Sequence, residues 1–111
     1  MIANRGELDG VRILAPHTVD LMTTNQVGTL LSTAGLGFGL GFQTTDRYGA
    51  NGFASDGAYG WGGASASASA YKVIPKERLI IVFMVQLPPN SSDIRDKFQT
   101  LVYSALVQSR R

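Results

Sequence analysis

The residues best suited to chemistry in this chain are a tryptophan and two glycines, Trp61-Gly62-Gly63. A strand normally presents side chains, whereas Gly62 and Gly63 would present bare backbone. A backbone N–H exposed there can donate a hydrogen bond to a developing oxyanion, and one such donor contributes about 3–4 kcal/mol of transition-state stabilisation. The alternative, which physical chemistry alone favours, is that the glycines only permit close packing or a bulge.

Three segments have the pattern of β-strands and would position these glycines. Residues 37–43 alternate glycine with apolar side chains, which predicts one strand with a glycine face that another element can approach closely. A second extended stretch runs from residue 59 to residue 74. Residues 79–86 are apolar on both faces, which predicts a central strand in a covered sheet. The apolar side chains predicted to share a face of the first strand are Phe38, Leu40 and Phe42.

Turn and helix signals complete the predicted fold. Asp9-Gly10 supplies the positive φ of a tight hairpin turn, and Pro16 suits the first position of a helix. Apolar residues recur at helical spacing near the C-terminus: Ile94, Phe98, Leu101, Val102, Ala105 and Leu106. Together the elements predict a single α+β domain over residues 1–111. Its antiparallel sheet would have about three main strands, with the C-terminal amphipathic helix packed on it.

Composition and charge narrow the classes of partner. Of 111 residues, 44% are apolar and 16% are charged, which is typical of a packed domain. The net charge is +2 with no basic stripe, so no nucleic-acid partner is expected. One histidine and no cysteine argue against a metal site, and the glycine run at residues 35–41 lacks the spacing of a dinucleotide motif, so no cofactor is expected. The longest apolar run, residues 79–85, is far shorter than the ~20 residues of a membrane helix, so no membrane partner is expected.

Three segments, in the right order, resemble one family across nearly the whole chain. The first is Gly-Glu-Leu-Asp-Gly-Val-Arg-Ile-Leu-Ala-Pro at residues 6–16, and the second is Gly-Phe-Gly-Leu-Gly-Phe at residues 37–42. The third is Tyr-Gly-Trp-Gly-Gly-Ala at residues 59–64, followed by residues 73–86. Together they resemble the C-terminal part of the penicillin-recognising serine hydrolases, which include the serine β-lactamases, the penicillin-binding proteins and the β-lactamase-like esterases.

The resemblance implies a serine hydrolase that acts on esters, β-lactams or D-alanyl peptides through an acyl-enzyme. In that family a Ser-x-x-Lys pair provides the nucleophile and its base, a Tyr-x-Asn motif shuttles a proton, and a strand motif such as Trp-Gly-Gly completes the site. The match implies that the backbone N–H of Ala64 forms one half of the oxyanion hole. It also implies that Trp61, Gly62, Gly63 and Tyr59 bind substrate, with Trp61 lining the pocket.

The chain departs from the family at the nucleophile. Residues 69–72, Ser-Ala-Tyr-Lys, spell Ser-x-x-Lys but lie in a predicted strand, where positions three apart point to opposite faces. Residues 48–51, Tyr-Gly-Ala-Asn, have one residue too many for Tyr-x-Asn. Residues 65–70 and Ile74 also differ from what many relatives carry after the strand motif. We therefore expect the chain to be inactive alone.

Three functional hypotheses follow. The first is a C-terminal hydrolase fragment, whose exposed sheet edge a complementing N-terminal fragment or a second copy in a homodimer would cover. The second is a binding module in which Tyr59, Trp61 and Tyr71 form a platform for a sugar or peptide. The third is an interaction domain whose main property is oligomerisation. The first six residues lack the apolar core of a signal peptide, and the compartment stays open.

Overall fold

The computed structural model describes residues 1–62, 69–86 and 93–106, and this part of the chain forms an α+β fold with antiparallel sheets. Its strands and α-helices are β1 (Glu7–Leu8), β2 (Val11–Arg12), α1 (Pro16–Thr23), β3 (Leu36–Phe38), β4 (Gln43–Thr45), β5 (Tyr59–Gly62), β6 (Ala70–Ile74), β7 (Leu79–Phe83) and α2 (Ile94–Ser104). β1 pairs with β2, and a five-stranded sheet has the order β3-β4-β5-β6-β7. The α+β class is confirmed, but the main sheet has five strands where about three were predicted.

The N-terminal hairpin forms because Asp9 and Gly10 both adopt left-handed backbone, with φ of 50° and 78°. This is the geometry of the tight turn that favours Asp-Gly, so the turn prediction is confirmed. Arg12 reaches across the hairpin to the carboxylate of Glu7 at 3.3 Å. The helix α1 begins at Pro16 as predicted, because the fixed φ and missing N–H of proline suit the first helical position.

Residues 37–43 span a β-hairpin and not the single strand that their alternation predicted. β3 and β4 pair antiparallel, with Phe38 opposite Gln43. Gly41, in the connecting turn, has a φ of 94°, which glycine adopts without steric cost. The turn leaves Leu40 56% exposed, so the predicted shared apolar face is wrong.

The stretch from residue 59 to residue 74 is also two strands. β5 and β6 pair antiparallel, and Gly62 stands opposite Ala70, so the predicted single extended stretch folds back on itself. Most of the alternating serine and alanine residues, 65–68, lie outside the described residues. The turn predicted after this stretch is confirmed, because a short 3₁₀ helix, Pro75–Glu77, leads into β7.

β7 lies at the edge of the described sheet, so its predicted central position is wrong. Within the described ranges it pairs with β6 alone. Burial alternates along it: Ile81 is 3% exposed, whereas Ile80 and Val82 are each 55% exposed. One face of β7 therefore points into the core while the other stays open. A strand covered on one side must show this alternation, because successive side chains point to opposite faces.

The C-terminal helix α2 covers one face of the sheet, as predicted. Val102 and Tyr103 pack against a buried cluster formed by the sheet and the loop before β5: Ala54, Ala58, Ile74 and Ile81. Phe98 lies against Phe83 of β7, with ring centroids 5.9 Å apart. The predicted apolar stripe of this helix is only partly buried, because Leu101 is 68% exposed. In the described ranges, no helix has the length and apolar character needed to span a membrane.

Candidate functional site

β5 lies in the middle of the five-stranded sheet and carries residues predicted to bind substrate. Trp61 stands opposite Tyr71 of β6, and Tyr71 stands opposite Val82 of β7. Residues two apart on a strand share a face, so Ile80 lies on this face as well. These four side chains are between 37% and 55% exposed. We call them the aromatic face: Trp61, Tyr71, Ile80 and Val82.

Tyr59 begins β5 and, unlike Trp61, is buried, with 5% of its surface exposed. Its ring lies against the ring of Phe42, with centroids 5.3 Å apart. Burial raises the pKa of the Tyr59 phenol above its ordinary value of 10.0. Of the three aromatic residues predicted to form a ligand platform, Trp61 and Tyr71 are open to a ligand, whereas Tyr59 lies on the same face but is buried.

Gly60 and Gly62 allow β5 to lie close to β6. A Cβ on Gly60 would lie 2.9 Å from the Cα of Lys72, and one on Gly62 would lie 2.8 Å from a backbone carbon of β6. Such distances are shorter than a real Cβ tolerates, so close packing is a sufficient reason for both glycines. Gly63 and Ala64 lie outside the described residues, and the oxyanion-hole N–H of Ala64 stays a prediction.

The serine and lysine that spell Ser-x-x-Lys have different partners. Ser69 precedes β6, and its hydroxyl oxygen lies 3.0 Å from both the carbonyl oxygen and the amide nitrogen of Val85. Lys72 lies within β6, and its ammonium donates to the side-chain oxygen of Gln99 of α2 at 3.0 Å. The family places this serine at the start of a helix, whereas Ser69 leads into a strand. Residues 48–51 lie in the loop between β4 and β5.

Lys72 belongs to a polar cavity that the sequence interpretation missed. Its side chain is buried, with 8% of the residue exposed, and it lines a cavity of about 110 Å³ between the sheet and α2. We call this space the lysine cavity; its polar side chains are Gln43, Asn51, Lys72, Arg95, Asp96 and Gln99. A signal for it exists in the sequence. Lys72 is two residues from Ile74 on the same strand, so it shares the face that the core covers.

The charges around Lys72 only partly compensate its burial. Burial lowers the pKa of Lys72 from its ordinary value of 10.5, while the carboxylate of Asp96 raises this pKa and the guanidinium of Arg95 lowers it. Among the described residues, the hydrogen-bond partner of the ammonium is the neutral amide of Gln99. Because burying a charged group is costly unless the charge is paired, this arrangement leaves the cavity with positive charge to be neutralised.

We expect the stability of the wild-type chain, compared with Lys72→Met, to increase as pH rises towards 10.5. A lysine whose folded pKa is lowered binds fewer protons in the folded than in the unfolded state between that pKa and 10.5. The stability difference therefore rises with pH across this window. The same contribution is lost as pH falls from 10.5 through the folded pKa of Lys72. Urea unfolding of both proteins at a series of pH values measures the difference between their free energies of unfolding. The tyrosines titrate in both proteins, so their contribution cancels in this difference. A difference that does not vary with pH would contradict the lowered pKa.

A larger cavity of about 320 Å³ lies near the C-terminal end of α2, beside Tyr103. Burial raises the pKa of the Tyr103 phenol to about 12, and its hydroxyl has no hydrogen-bond partner in the described residues. On the cavity wall, Ser55 donates to Glu77 at 2.9 Å. The remaining walls are mostly aromatic or apolar, including Tyr48 and Phe53. A neutral phenol among such walls suits packing better than nucleophilic chemistry.

Two regions therefore qualify as candidate sites: the aromatic face near the end of β5, and the lysine cavity on the opposite side of the sheet. Within residues 1–62, 69–86 and 93–106, no group of three or more His, Cys, Asp or Glu side chains could hold a metal ion. A scan of the chain against protein-family models and a search of the curated proteins both found no match.

Proposed function

We propose that this chain is the C-terminal part of a serine hydrolase related to the β-lactamases and β-lactamase-like esterases, and that the nucleophile lies on another segment. The observation that carries the proposal is the position of residues 59–62, Tyr-Gly-Trp-Gly: β5 runs inside an antiparallel sheet, with the half-exposed Trp61 near its end. The helix α2 covers the other face, so Trp61 and Tyr71 remain accessible. The order of the three family-like segments adds support.

In this proposal the chain supplies a pocket wall and one oxyanion donor. An activated serine from the other segment attacks the carbonyl carbon of an ester or β-lactam, and the carbonyl oxygen becomes negatively charged. The backbone N–H of Ala64 donates a hydrogen bond to that oxygen, while Trp61 lines the acyl pocket. The leaving alcohol, or the opened lactam nitrogen, takes a proton, and water later hydrolyses the acyl-enzyme.

The aromatic face supports a covering segment elsewhere in the protein. Contiguous exposed apolar surface usually marks contact with another protein or with a ligand. The exposed surface extends past the end of β7, where Met84 is 82% exposed. In the proposal, the segment that carries the nucleophile covers part of this face, and Trp61 lies where the two parts meet.

We expect intact-mass spectrometry to detect no adduct when the purified chain is treated with a fluorophosphonate or with a penicillin. A mixture with the N-terminal segment of a β-lactamase-like esterase, which carries Ser-x-x-Lys, should gain the label on that segment and hydrolyse a chromogenic ester. Trp61→Ala should lower this hydrolysis by about tenfold or more, because a misplaced acyl group loses its alignment with the nucleophile. Tyr48, an exposed aromatic residue in the loop between β4 and β5, provides the matched control, and Tyr48→Ala should leave the rate unchanged.

Two outcomes would overturn this proposal. A stoichiometric adduct on the isolated chain, mapped to Ser65, Ser67 or Ser69, would make the chain a hydrolase in its own right. An unreactive mixture, together with saturable binding of a sugar or peptide to the chain alone, would favour the binding module.

The outer edge of β7, which has no paired strand within the described ranges, favours a second candidate function, self-association. An edge strand presents unpaired backbone N–H and C=O groups, and the side chains of Ile80 and Val82 beside them are half-exposed. A second copy pairing along β7 would extend the sheet through a two-fold contact. Light scattering across a wide range of protein concentration distinguishes the two candidates, because a molar mass that rises with concentration, without any ligand, favours self-association.

A further inference from the structure

We propose that the lysine cavity binds a small oxyanion, such as inorganic phosphate or the carboxylate of a small organic acid, between the sheet and the first turn of α2. Lys72 and Arg95 provide the positive charges of the site. The Lys72 side chain lies on the covered face of the sheet, whereas the side chains of the aromatic face lie on the other; Trp61 and Tyr71, as neighbours of Gly60 and Lys72 in β5 and β6, also border the cavity. The proposal therefore does not depend on the hydrolase function, and each can fail without the other.

Two cations line the cavity with little neutralisation. The residue Lys72 is 8% exposed, and the side chain of Arg95 is 31% exposed. Arg95 forms an ion pair with the carboxylate of Asp96, the next residue in the chain, at 3.6 Å. The Asp96 side chain is 76% exposed, so water screens this pair. Like charges repel more strongly near a protein interior than in water, so an anion placed between the two cations would stabilise both.

No other acidic side chain is positioned to supply that negative charge. All 8 acidic residues lie in the described ranges, since residues 63–68, 87–92 and 107–111 contain no Asp or Glu. Four carboxylates form ion pairs with cations outside the cavity: Glu7, Asp20, Asp56 and Asp93. Asp46 accepts hydrogen bonds from Asn25 and Thr44. Glu77 accepts a hydrogen bond from Ser55, and Asp9 lies in the turn of the N-terminal hairpin. Asp96 is the acidic residue that lines the cavity.

The remaining groups and the size of the cavity suit an oxyanion. The side-chain oxygen of Gln99 accepts a hydrogen bond from Lys72, so the N–H groups of the same amide are available as donors. Gln43 and Asn51 add further side-chain amides to the cavity lining. The planar guanidinium of Arg95 can donate two parallel hydrogen bonds to one phosphate or carboxylate. The volume of about 110 Å³ holds several waters or one small anion and is well below the roughly 300–1,000 Å³ of pockets for larger organic ligands.

The test is titration of the chain with inorganic phosphate, followed by thermal unfolding and by backbone amide chemical shifts. Phosphate should raise Tm by a few degrees at saturation, because a ligand that binds only the folded state stabilises it. Sodium chloride at the same ionic strength should not raise Tm to the same extent, which separates site binding from screening. Amide shifts of Gly60, Arg95 and Gln99 should change along one saturable curve, while that of Gly10 in the N-terminal hairpin stays fixed. A parallel titration with acetate distinguishes a site that also binds carboxylates from one that requires phosphate.

Three variants make the test specific. Lys72→Met keeps an unbranched apolar side chain and removes the charge, and it should weaken phosphate binding by about tenfold or more. Arg95→Gln should do the same, and because Arg95 is partly exposed this variant keeps the test decisive if Lys72→Met fails to fold. Lys97→Met is the matched control, because Lys97 lies on the same helix with a side chain 71% exposed, and it should bind as the wild type does. Equal binding by the wild type and Arg95→Gln, or no saturable response to phosphate or acetate at tens of millimolar, would overturn the proposal.

Discussion

Replacing Ile81 with alanine is expected to lower the free energy of unfolding by about 2–5 kcal/mol. Ile81 is 3% exposed and packs in the buried cluster with Ile74, beneath Val102 and Tyr103 of α2. The substitution removes buried apolar surface and leaves a cavity that the sheet and the helix refill only partly. Since the whole stability of a domain is about 5–15 kcal/mol, this is a large share of it. Urea unfolding, followed by the fluorescence of the single tryptophan, measures the loss.

The matched control is Ile80→Ala, because Ile80 is the preceding residue of the same strand and is 55% exposed. Half of its side chain already lies in water, so the expected loss is below about 1 kcal/mol. Strand propensity and side-chain chemistry are the same for both positions, and the contrast therefore isolates burial beneath α2. Equal losses from the two variants would contradict a sheet that is covered on one face.

The same pair of variants also bears on the proposed function. If another segment of a hydrolase covers the aromatic face, Ile80 becomes buried when that segment binds. Ile80→Ala should then weaken association with the complementing N-terminal segment, while Ile81→Ala should act mainly on the stability of the chain itself. An Ile80→Ala variant that associates as tightly as the wild type would place the covering segment away from β7.

Short-range features of the fold could be predicted because one local cause determines each of them. Asp9-Gly10 forms its turn because both residues tolerate left-handed backbone. Pro16 begins α1 because its missing N–H needs no partner there. The spacing of apolar residues predicted α2, although Leu101 of that pattern is exposed.

Features that depend on distant parts of the chain could not be predicted in the same way. The apolar pattern of residues 79–86 indicates that both faces of a strand could be buried. It does not indicate which other elements pack against each face. In the structure, α2 reaches one face of β7 and leaves Ile80 exposed on the other. The alternating glycines of residues 37–43 fit a strand and a turn equally well, and pairing between β3 and β4 decides for the turn.

The sequence interpretation named residues of the aromatic face but did not predict the lysine cavity. The sequence pattern singled out Trp61, and its exposure on a central strand suits a pocket wall. Tyr59 was grouped with it by residue type and does share its face of β5, but the ring of Phe42 packs against Tyr59 and Tyr59 is buried. Lys72 was considered only as part of a coincidental motif. It lies two residues from Ile74 on the same strand, so both side chains lie on the covered face. The charge balance of the cavity depends on Arg95 and Asp96 of α2, which no local pattern connects to β6.

Gly60→Ala is expected to lower the free energy of unfolding by about 3 kcal/mol, at the upper end of the usual effect of overpacking. The added Cβ would meet the carbonyl oxygen of Tyr71 and lie 2.9 Å from the Cα of Lys72. Both are backbone atoms of the paired strand and cannot rotate away as a side chain can. The strands must therefore move apart, and Trp61, the next residue, should move with them. Urea unfolding measures the loss, and near-ultraviolet circular dichroism of the folded variant reports the new environment of Trp61.

Gly49→Ala is the control that separates this contact from backbone strain. Gly49 has a φ of 83° and nothing within 4 Å of the added Cβ, so its substitution adds strain without a clash and should cost about 1–2 kcal/mol. Gly60 is not among the glycines with positive φ, so its cost should come from the clash. If Gly60→Ala is as stable as the wild type, β5 and β6 separate easily and close packing no longer explains why glycines flank Trp61. That result would favour a functional reason for the glycines beside Trp61. A large loss would instead confirm close packing as their role, and the evidence for an oxyanion donor would then have to come from Ala64, through the labelling experiment.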